Sequence, residues 1–331
     1  MADYKEIVGA RVKAVSANPS DPFDGQLWYN STDEVLRYKK ANAGGSWSTG
    51  GNLNNGRRLQ AGSGTQTAAL CFGGSGVPTS YEDYTEQYNG SSWTEVADLN
   101  QARDHTTGFG TQTASIIAGG FLNPSPAPTN RTKTVESWDG SSWTEVGDLN
   151  NVKRETASCG TSTAGLVFGG ELPSPFSAEN ESWNGSSWTE LADLNTARQR
   201  PGGAGIQTAA LCFAGDKDPA TTYSDDTELW NGSSWTEVGD MNRARHGCSD
   251  AGTSTAAFAM GGYYGVLPIT NNQSNEHWNG TSWTEVADLA NGRHIGAGSG
   301  AVDAGLMFGG WGPGSLNATE EFNTVFQITP E

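Results

Sequence analysis

Positive charge is scarce in this chain: 19 Lys and Arg stand against 37 Asp and Glu, for a net charge of −18. A surface of that sign repels the phosphate backbone and anionic lipid headgroups, so neither nucleic acid nor membrane insertion is expected among its partners. Long apolar runs are missing. Hydrophobic residues make up only 35% of the chain, and no stretch approaches the 18 or so residues needed to span a bilayer. The first residues, MADYKEIVGARVKAV, carry no apolar core of the secretory kind, which predicts synthesis in a cytoplasm without a secretory signal. Cysteine is rare: Cys71, Cys159, Cys212 and Cys248 are spaced as single small core residues, not as a disulfide or zinc framework. No window of ten residues shows helical periodicity. The composition is instead filled by 45 glycines together with Ser, Thr and Asn, residues of turns and short strands.

What the chain does have is repetition. The stretch NGSSWTEVADLN at 89–100 returns nearly unchanged from Asp139, Asn184, Asn231 and Asn279, with a degenerate copy, AGGSWSTGGNLN, from Ala43. Its tryptophans, Trp47, Trp93, Trp143, Trp188, Trp235 and Trp283, recur every ~45–50 residues, the period of one supersecondary unit in a propeller or solenoid. From residue 57 each unit opens on arginine (Arg57/Arg58, Arg103, Arg154, Arg198, Arg245, Arg293) and passes through a small-residue stretch. It then reaches an apolar run ending in two small residues: ALCFGG, SIIAGG, GLVFGG, ALCFAG, AFAMGG and GLMFGG. Unbroken apolar runs of this length predict strands buried on both faces. A variable loop follows, then two aromatic-bearing strands joined by Asn-Gly or Asp-Gly, a hairpin signal. Each unit therefore reads as four strands.

Arginine, apolar run, diglycine, a third-strand Tyr or Trp and a Trp five residues later is a pattern that resembles the kelch repeat, over residues 43 to about 326. The resemblance implies an all-β, six-bladed kelch-like β-propeller of four-stranded antiparallel blades. The last unit, from Arg293, has no Trp after Phe322, whereas Trp47 has no first or second strand before it. The expectation is that the segment around Trp47 closes the ring as the outer strand of the last blade. Residues 1–33 then form an N-terminal arm and residues 34–331 the propeller, with 34–53 supplying the closure strand. Val35–Lys39 and Thr319–Phe322 compete for the third-strand place of the closing blade.

Repeated chemistry argues against one catalytic centre. Glu95/Asp98 and its counterparts recur in every unit, so the expectation is a structural role, with Asp paired to the following Arg or capping a turn. The arginines could ring the axis as an anion site, but an Arg–Asp bridge is favoured. His105, His246 and His294 fall in near-equivalent places and no unit offers two metal ligands. The Asn-X-Ser/Thr sequons coincide with turns that need Asn for its left-handed backbone. No P-loop or Gly-x-Ser-x-Gly elbow is present, and the copper set of a galactose-oxidase-type kelch propeller cannot be assembled. The chain therefore reads as a non-enzymatic protein with no catalytic residue, metal or cofactor.

The near-identity of the repeats, and GQLWYNST at 25–32, resemble propeller and fibre proteins of marine tailed bacteriophages. That resemblance implies a structural or decoration protein at the virion surface, joined to other virion proteins through an arm carrying Phe23, Leu27, Trp28 and Tyr29. A cellular kelch protein-interaction propeller and a carbohydrate-active enzyme are the alternatives. Sequence variation between copies gathers in the loops joining second to third strands. Tyr81, Tyr84, Phe121, Arg131, Phe176, Asp216, Lys217, Tyr223, Tyr263, Tyr264, Asn272 and Trp311 lie there. Aromatic faces beside hydrogen-bonding groups on one end of a rigid scaffold suit a host surface glycan or protein.

Overall fold

Strands of two to five residues, broken by glycine and Asx turns, make up the regular structure of the computed structural model. It describes residues 12–18, 27–39, 45–76, 81–122, 131–173, 176–217, 222–265, 273–312 and 317–328, and these contain no helix. The chain forms two units: Trp47–Phe322, and a smaller one made of Met1–Ser46 with Asn323–Glu331.

The larger unit is a series of four-stranded antiparallel sheets, the architecture of a β-propeller. The second repeat is representative: Thr107–Thr111, Ala114–Ala118, Val135–Trp138 and Trp143–Glu145 pair in chain order. Its register sets Thr107 opposite Ala118, Ile117 opposite Glu136 and Trp138 opposite Trp143. The second strand shows four consecutive buried residues because each of its faces meets a neighbouring sheet. Sister sheets begin at Ala61–Thr65, Ala157–Thr161, Gly202–Ile206, Ser249–Thr253 and Ala297–Ala301. These first strands lie side by side in chain order, and Ala297–Ala301 also lies beside Ala61–Thr65. The sheet of Ala297–Ala301, Ala304–Phe308 and Thr319–Asn323 takes Ser46–Thr49 as its fourth strand.

Local chemistry explains the repeated residues. The fourth position of each first strand is Gly with positive φ, as at Gly110 (φ 125°), where an added Cβ would sit 2.3 Å from the Ala114 carbonyl oxygen. In the third-to-fourth turn, Asn89 Oδ1 accepts from the Ser91 and Ser92 N–H groups, both at 3.0 Å, and Asp139 repeats the arrangement. The sequons in these turns are thus Asx-turn chemistry.

Packing between sheets is aromatic. The fourth-strand Trp of one repeat rests on a Phe of the repeat before it: Phe72–Trp143 at 5.0 Å, Phe168–Trp235 at 5.0 Å and Phe213–Trp283 at 4.8 Å between centroids. Phe308–Trp93, at 4.8 Å, makes the same contact from the last repeat to the first. Trp47 takes the fourth-strand role in the last sheet, 5.6 Å from Phe258.

The arginines differ from expectation in partner and in register. Their main partner is a third-strand glutamate: Arg57–Glu86 (2.7 Å), Arg103–Glu136 (2.6 Å), Arg198–Glu228 (2.7 Å), Arg245–Glu276 and Arg293–Glu320 (2.5 Å), all with side chains essentially inaccessible, and Arg198 alone of these also reaches an aspartate, Asp226 at 3.8 Å. In the third repeat Lys153 holds this place, 2.5 Å from Glu181, while Arg154 binds the more accessible Glu171. Committed to these pairs, the buried cations form no free anion site. Each glutamate also accepts from the segment entering its repeat. Asn100, for example, donates its backbone N–H and Nδ2 to Glu136 Oε2, each at 2.8 Å, and Nδ2 to the Trp143 carbonyl.

The smaller unit is a sheet ordered Lys13–Val15, Leu27–Asn30, Val35–Lys39 and Val325–Ile328, with its first pair parallel. Residues 1–33 are therefore no separate arm: they contribute two strands to a sheet completed by the C-terminal segment. The boundary falls at residues 46/47 instead of 33/34. Val35–Lys39 pairs here, which leaves the contested third-strand place to Thr319–Asn323. Strand alternation exposes Leu27 (36%) and Tyr29 (37%) but buries Trp28 completely, with its Nε1 donating to Asn18 Oδ1 at 3.1 Å. Trp28 is thus removed from the exposed set, and Phe23 lies outside the described residues.

Deleting one partner of a buried, hydrogen-bonded ion pair leaves an uncompensated charge, a loss of about 3–5 kcal/mol. Glu136→Ala is expected to lower unfolding stability by that order in urea titrations. Combining Arg103→Met with Glu136→Leu should recover most of it. A Glu136→Ala midpoint equal to the parent's would contradict the role given to the pair.

Candidate functional site: a cavity at the entrance to the first strands

Two residues beyond each buried cation, at the entrance to the first strand, the backbone turns left-handed. The residues are Leu59 (φ 58°), His105 (51°), Glu155 (56°), Arg200 (53°), Gly247 (60°) and Ile295 (50°). Five of these six are not glycine, a conformation costing about 1 kcal/mol or more at each unless held from outside. A chain of inter-repeat bonds holds them. Glu155 donates its N–H to the His105 carbonyl (2.9 Å), Arg200 to Glu155 (2.8 Å), Gly247 to Arg200 (3.1 Å), Ile295 to Gly247 (2.7 Å) and Leu59 to Ile295 (2.8 Å).

Their side chains surround a cavity of about 90 Å³. One side is charged: Glu155 Oε1 lies 3.2 Å from His105 Nε2 and 2.7 Å from Arg200 Nη2. The other side is apolar, formed by Leu59 and Ile295. Six residues, among them Gln60, Thr156 and Cys248, are shared with a deeper cavity of about 110 Å³. That cavity in turn shares Gly108, Ser158, Asp250 and Gly298 with a third, of about 120 Å³, so the space continues between the first strands.

An outer ring surrounds this cavity, built where the residue after each small-residue doublet bridges back to the residue after the buried cation: Asp104 with Phe121, Gln199 with Asp216, His246 with Tyr263 and His294 with Trp311. Here the sequence-derived residues meet. Tyr223 stacks on His246 (4.9 Å), which also packs against Tyr263 (5.4 Å) and donates from Nδ1 to Asp216 Oδ2 (2.8 Å). Tyr263 continues to His294 (5.4 Å), and Trp311, 39% exposed, lies beneath Arg58 at 4.2 Å. Elsewhere on the ring Phe121 is covered by Arg154 (4.4 Å) and Arg131 (5.9 Å), both paired with Glu171. Tyr264 is covered by Arg243 at 4.0 Å.

The remaining expected residues are dispersed. Tyr81 and Phe176 enter through bridges to Ser75 and Glu171, and Lys217 is paired with Asp226. Tyr84 is half-buried and its carbonyl accepts from the buried Arg57. Asn272 lies outside the described residues. Reading the loops alone missed Glu155 and Arg200. Superposing the repeats on their buried cation would have exposed them, because the second residue after it runs Leu, His, Glu, Arg, Gly, Ile. The same superposition separates His105, on the inner ring, from His246 and His294, on the outer one.

Burial dominates the titration behaviour. It pushes the thiols of Cys71, Cys212 and Cys248 up to about 12, which leaves them poor nucleophiles at neutral pH. Burial, with His246, Arg200 and Arg58 nearby, takes His294 down to about 4, and burial alone does the same to His277, packed between Phe258 and Phe322. Burial raises Asp250 to about 7, opposed by the Gly203 N–H that it accepts at 2.8 Å.

No family model matches the chain, and no curated protein matches it either. Among solved structures, YjhT superposes with a TM-score of 0.66 at 12% sequence identity, over 82% of this chain and 95% of that one. The likeness shows the fold, a kelch-type β-propeller. It also corrects the expectation of a non-enzymatic protein: a fold shared with YjhT and recurring in 409 matching chains gives no ground for classing this chain outside the enzymes.

The perturbed groups give opposite pH slopes. The folded state holds a proton on Asp250 that the unfolded chain has released, so this group's stabilisation is lost as pH rises from about 4 to 7. His294 and His277 act the other way, losing stability as pH falls from 6.5 towards 4. In a buffer free of divalent ions, Asp250→Asn should remove only the first slope. The variant should gain on the parent between pH 4 and 7 by at most about 4 kcal/mol. Parallel stability–pH curves for the two proteins would refute this.

Proposed function

We propose that the six repeat sheets close into a six-bladed ring with Ser46–Thr49 as the closure strand, and that the mouth of this ring is a glycan-binding site. Support for closure comes from the inter-repeat bond from Leu59 to Ile295, the contact of Phe308 with Trp93, and Trp93 Nε1 donating to Thr319 Oγ1 at 3.0 Å. The observation that carries the binding reading is the cluster of Tyr223, His246, Tyr263 and His294 near Arg200, which lines the cavity, with Trp311 beneath Arg58. Flat aromatic and imidazole faces stack on the apolar faces of a sugar ring, and Arg58, Glu155 and Arg200 offer the directional hydrogen bonds that a saccharide requires. A protein patch would use the same aromatics but has less need of the cavity.

Placement at a phage virion surface, with a host glycan as ligand and other virion proteins as partners, rests on the likeness of the repeats and of GQLWYNST at 25–32 to phage propeller and fibre proteins. Exposed Leu27 and Tyr29 would supply attachment to the virion. Replacing Tyr263 and Trp311 by Ala should preserve the thermal transition and reduce retention on host-surface polysaccharide at least tenfold, the loss expected from about two aromatic contacts. Unchanged retention would remove the mouth as the site, and new products in the incubation would show that bound sugar is also turned over.

A further inference from the structure

Six cations of the larger unit are sealed against glutamates, and five arginines of that unit stay outside those pairs: Arg58, Arg131, Arg154, Arg200 and Arg243. Four of the five lie over aromatic rings of the variable loops. Arg58 stands over Trp311 at 4.2 Å, Arg154 and Arg131 over Phe121, and Arg243 over Tyr264 at 4.0 Å. A guanidinium seated on a ring is held in place while the N–H fork at its edge stays available to an oxyanion. Arg131 and Arg154 commit theirs to Glu171. Among the described residues, no carboxylate pairs with Arg58 or Arg243.

Arg58 stands where the first and last repeats meet. Its neighbour Leu59 donates to the Ile295 carbonyl at 2.8 Å, and Trp311 is bridged in both directions to His294, at 2.8 and 3.1 Å. His294 feels charge of one sign. Burial first, then His246, Arg200 and Arg58, takes its imidazole down to about 4 and keeps it neutral at physiological pH. Its Nδ1 is buried without a hydrogen-bond partner among the described residues. Arg200 lines the same cavity as Leu59 and Ile295, with Nη2 on Glu155 at 2.7 Å and a buried, unpartnered Nε. Two guanidinia thus act on one imidazole beside Leu59 and Ile295, and Glu155 pairs with only one of them.

A net charge of −18 repels anions, but only within reach: the Debye length is about 8 Å in physiological salt. Exposed carboxylates recur on the fourth strands, at Glu95, Glu145, Glu190, Glu237 and Glu285, the opposite edge of each sheet from the first strand. We propose that the ligand of this face is an acidic saccharide, whose carboxylate or sulfate oxygens dock on Arg58 and Arg200 beside Trp311, Leu59 and Ile295. The inference rests on the reading of this face as a glycan site and adds the charge of the glycan. Both groups present paired oxygens that match a guanidinium fork, in charge-assisted bonds about twice as strong as neutral ones. A neutral sugar would leave Arg58 without a counter-charge.

The test is retention of the full chain on columns carrying dextran, carboxymethyl-dextran or dextran sulfate, which share one backbone and differ in charge. The parent should be retained by at least one acidic polymer and not by dextran, and the polymer that retains it distinguishes carboxylate from sulfate. Arg58→Gln alters a half-buried side chain outside the sealed pairs. It should keep the thermal transition and weaken retention at least about tenfold. Raising NaCl from about 50 to about 500 mM should weaken the parent and narrow its lead over the variant. Lys133→Gln, which removes an exposed cation paired with Asp148, should change nothing. Equal retention of the parent and Arg58→Gln on the acidic polymers, or retention by neither acidic polymer, would overturn the proposal. Retention on dextran equal to that on the acidic polymers, and lost in Tyr263→Ala, would overturn the acidic ligand and leave the glycan site standing.

Discussion

A guanidinium or ammonium sealed inside each repeat against a third-strand carboxylate is the constraint from which the rest of the repeat follows. Neither charge reaches water, so each must be satisfied by its surroundings. Arg103 meets this by donating to Glu136 and to the Thr134 carbonyl, and Glu136 by accepting from Arg103 and from Asn100. Because Asn100 stands in the segment arriving from the previous repeat, one buried pair fixes where the chain enters, where its third strand lies and how two repeats join. Hydrophobic contact supplies area through the Phe–Trp pairs, but it is non-directional. The ion pair supplies direction.

With register fixed six times over by the same device, the repeat is free to vary where it does not touch that device. Variation accumulates at the entrances to the first strands: the left-handed set of Leu59, His105, Glu155, Arg200, Gly247 and Ile295, and the aromatic residues next to it. A run of backbone bonds from His105 to Leu59 links the inner ring without calling on side chains, although His105, Glu155 and Arg200 are also joined through theirs. Side chains there can differ without loosening the scaffold, which is the condition for a recognition surface on a repeat protein. At the second position of the first strands the freedom ends, because contact with the neighbouring repeat leaves little room beyond glycine at Gly62, Gly108, Gly203 and Gly298.

Much of this was legible in the sequence because local and global demands coincide in a repeat. The apolar runs, the doublets of small residues, the Asn-Gly turns and the paired aromatics each state one requirement of a four-stranded sheet, and Trp47 signalled a fourth strand without a first. The partner of the arginine was not legible. Glu86, Glu136 and their equivalents sit inside strands such as TEQY and VESW, where alternation suggests an exposed carboxylate. Only the sheet-on-sheet burial shows otherwise. Lys153 and Arg154, adjacent cations, hid the register of the third repeat. Trp28 looked like part of an exposed apolar arm because its sheet is completed by a strand some 300 residues away in the chain, Val325–Ile328. The inner ring escaped notice since five of its six left-handed residues are not the glycine that usually marks such a turn.

The claim that the varied mouth is the binding surface is tested most directly by amide hydrogen exchange of the full chain with and without a host-surface polysaccharide. The account predicts added protection confined to the segments around Leu59, His105, Glu155, Arg200, Gly247 and Ile295 and to the bridged residues Tyr263 and Trp311. Protection at the Asn-Gly turns on the opposite edges of the sheets, or none anywhere in the presence of a ligand that binds, would contradict it.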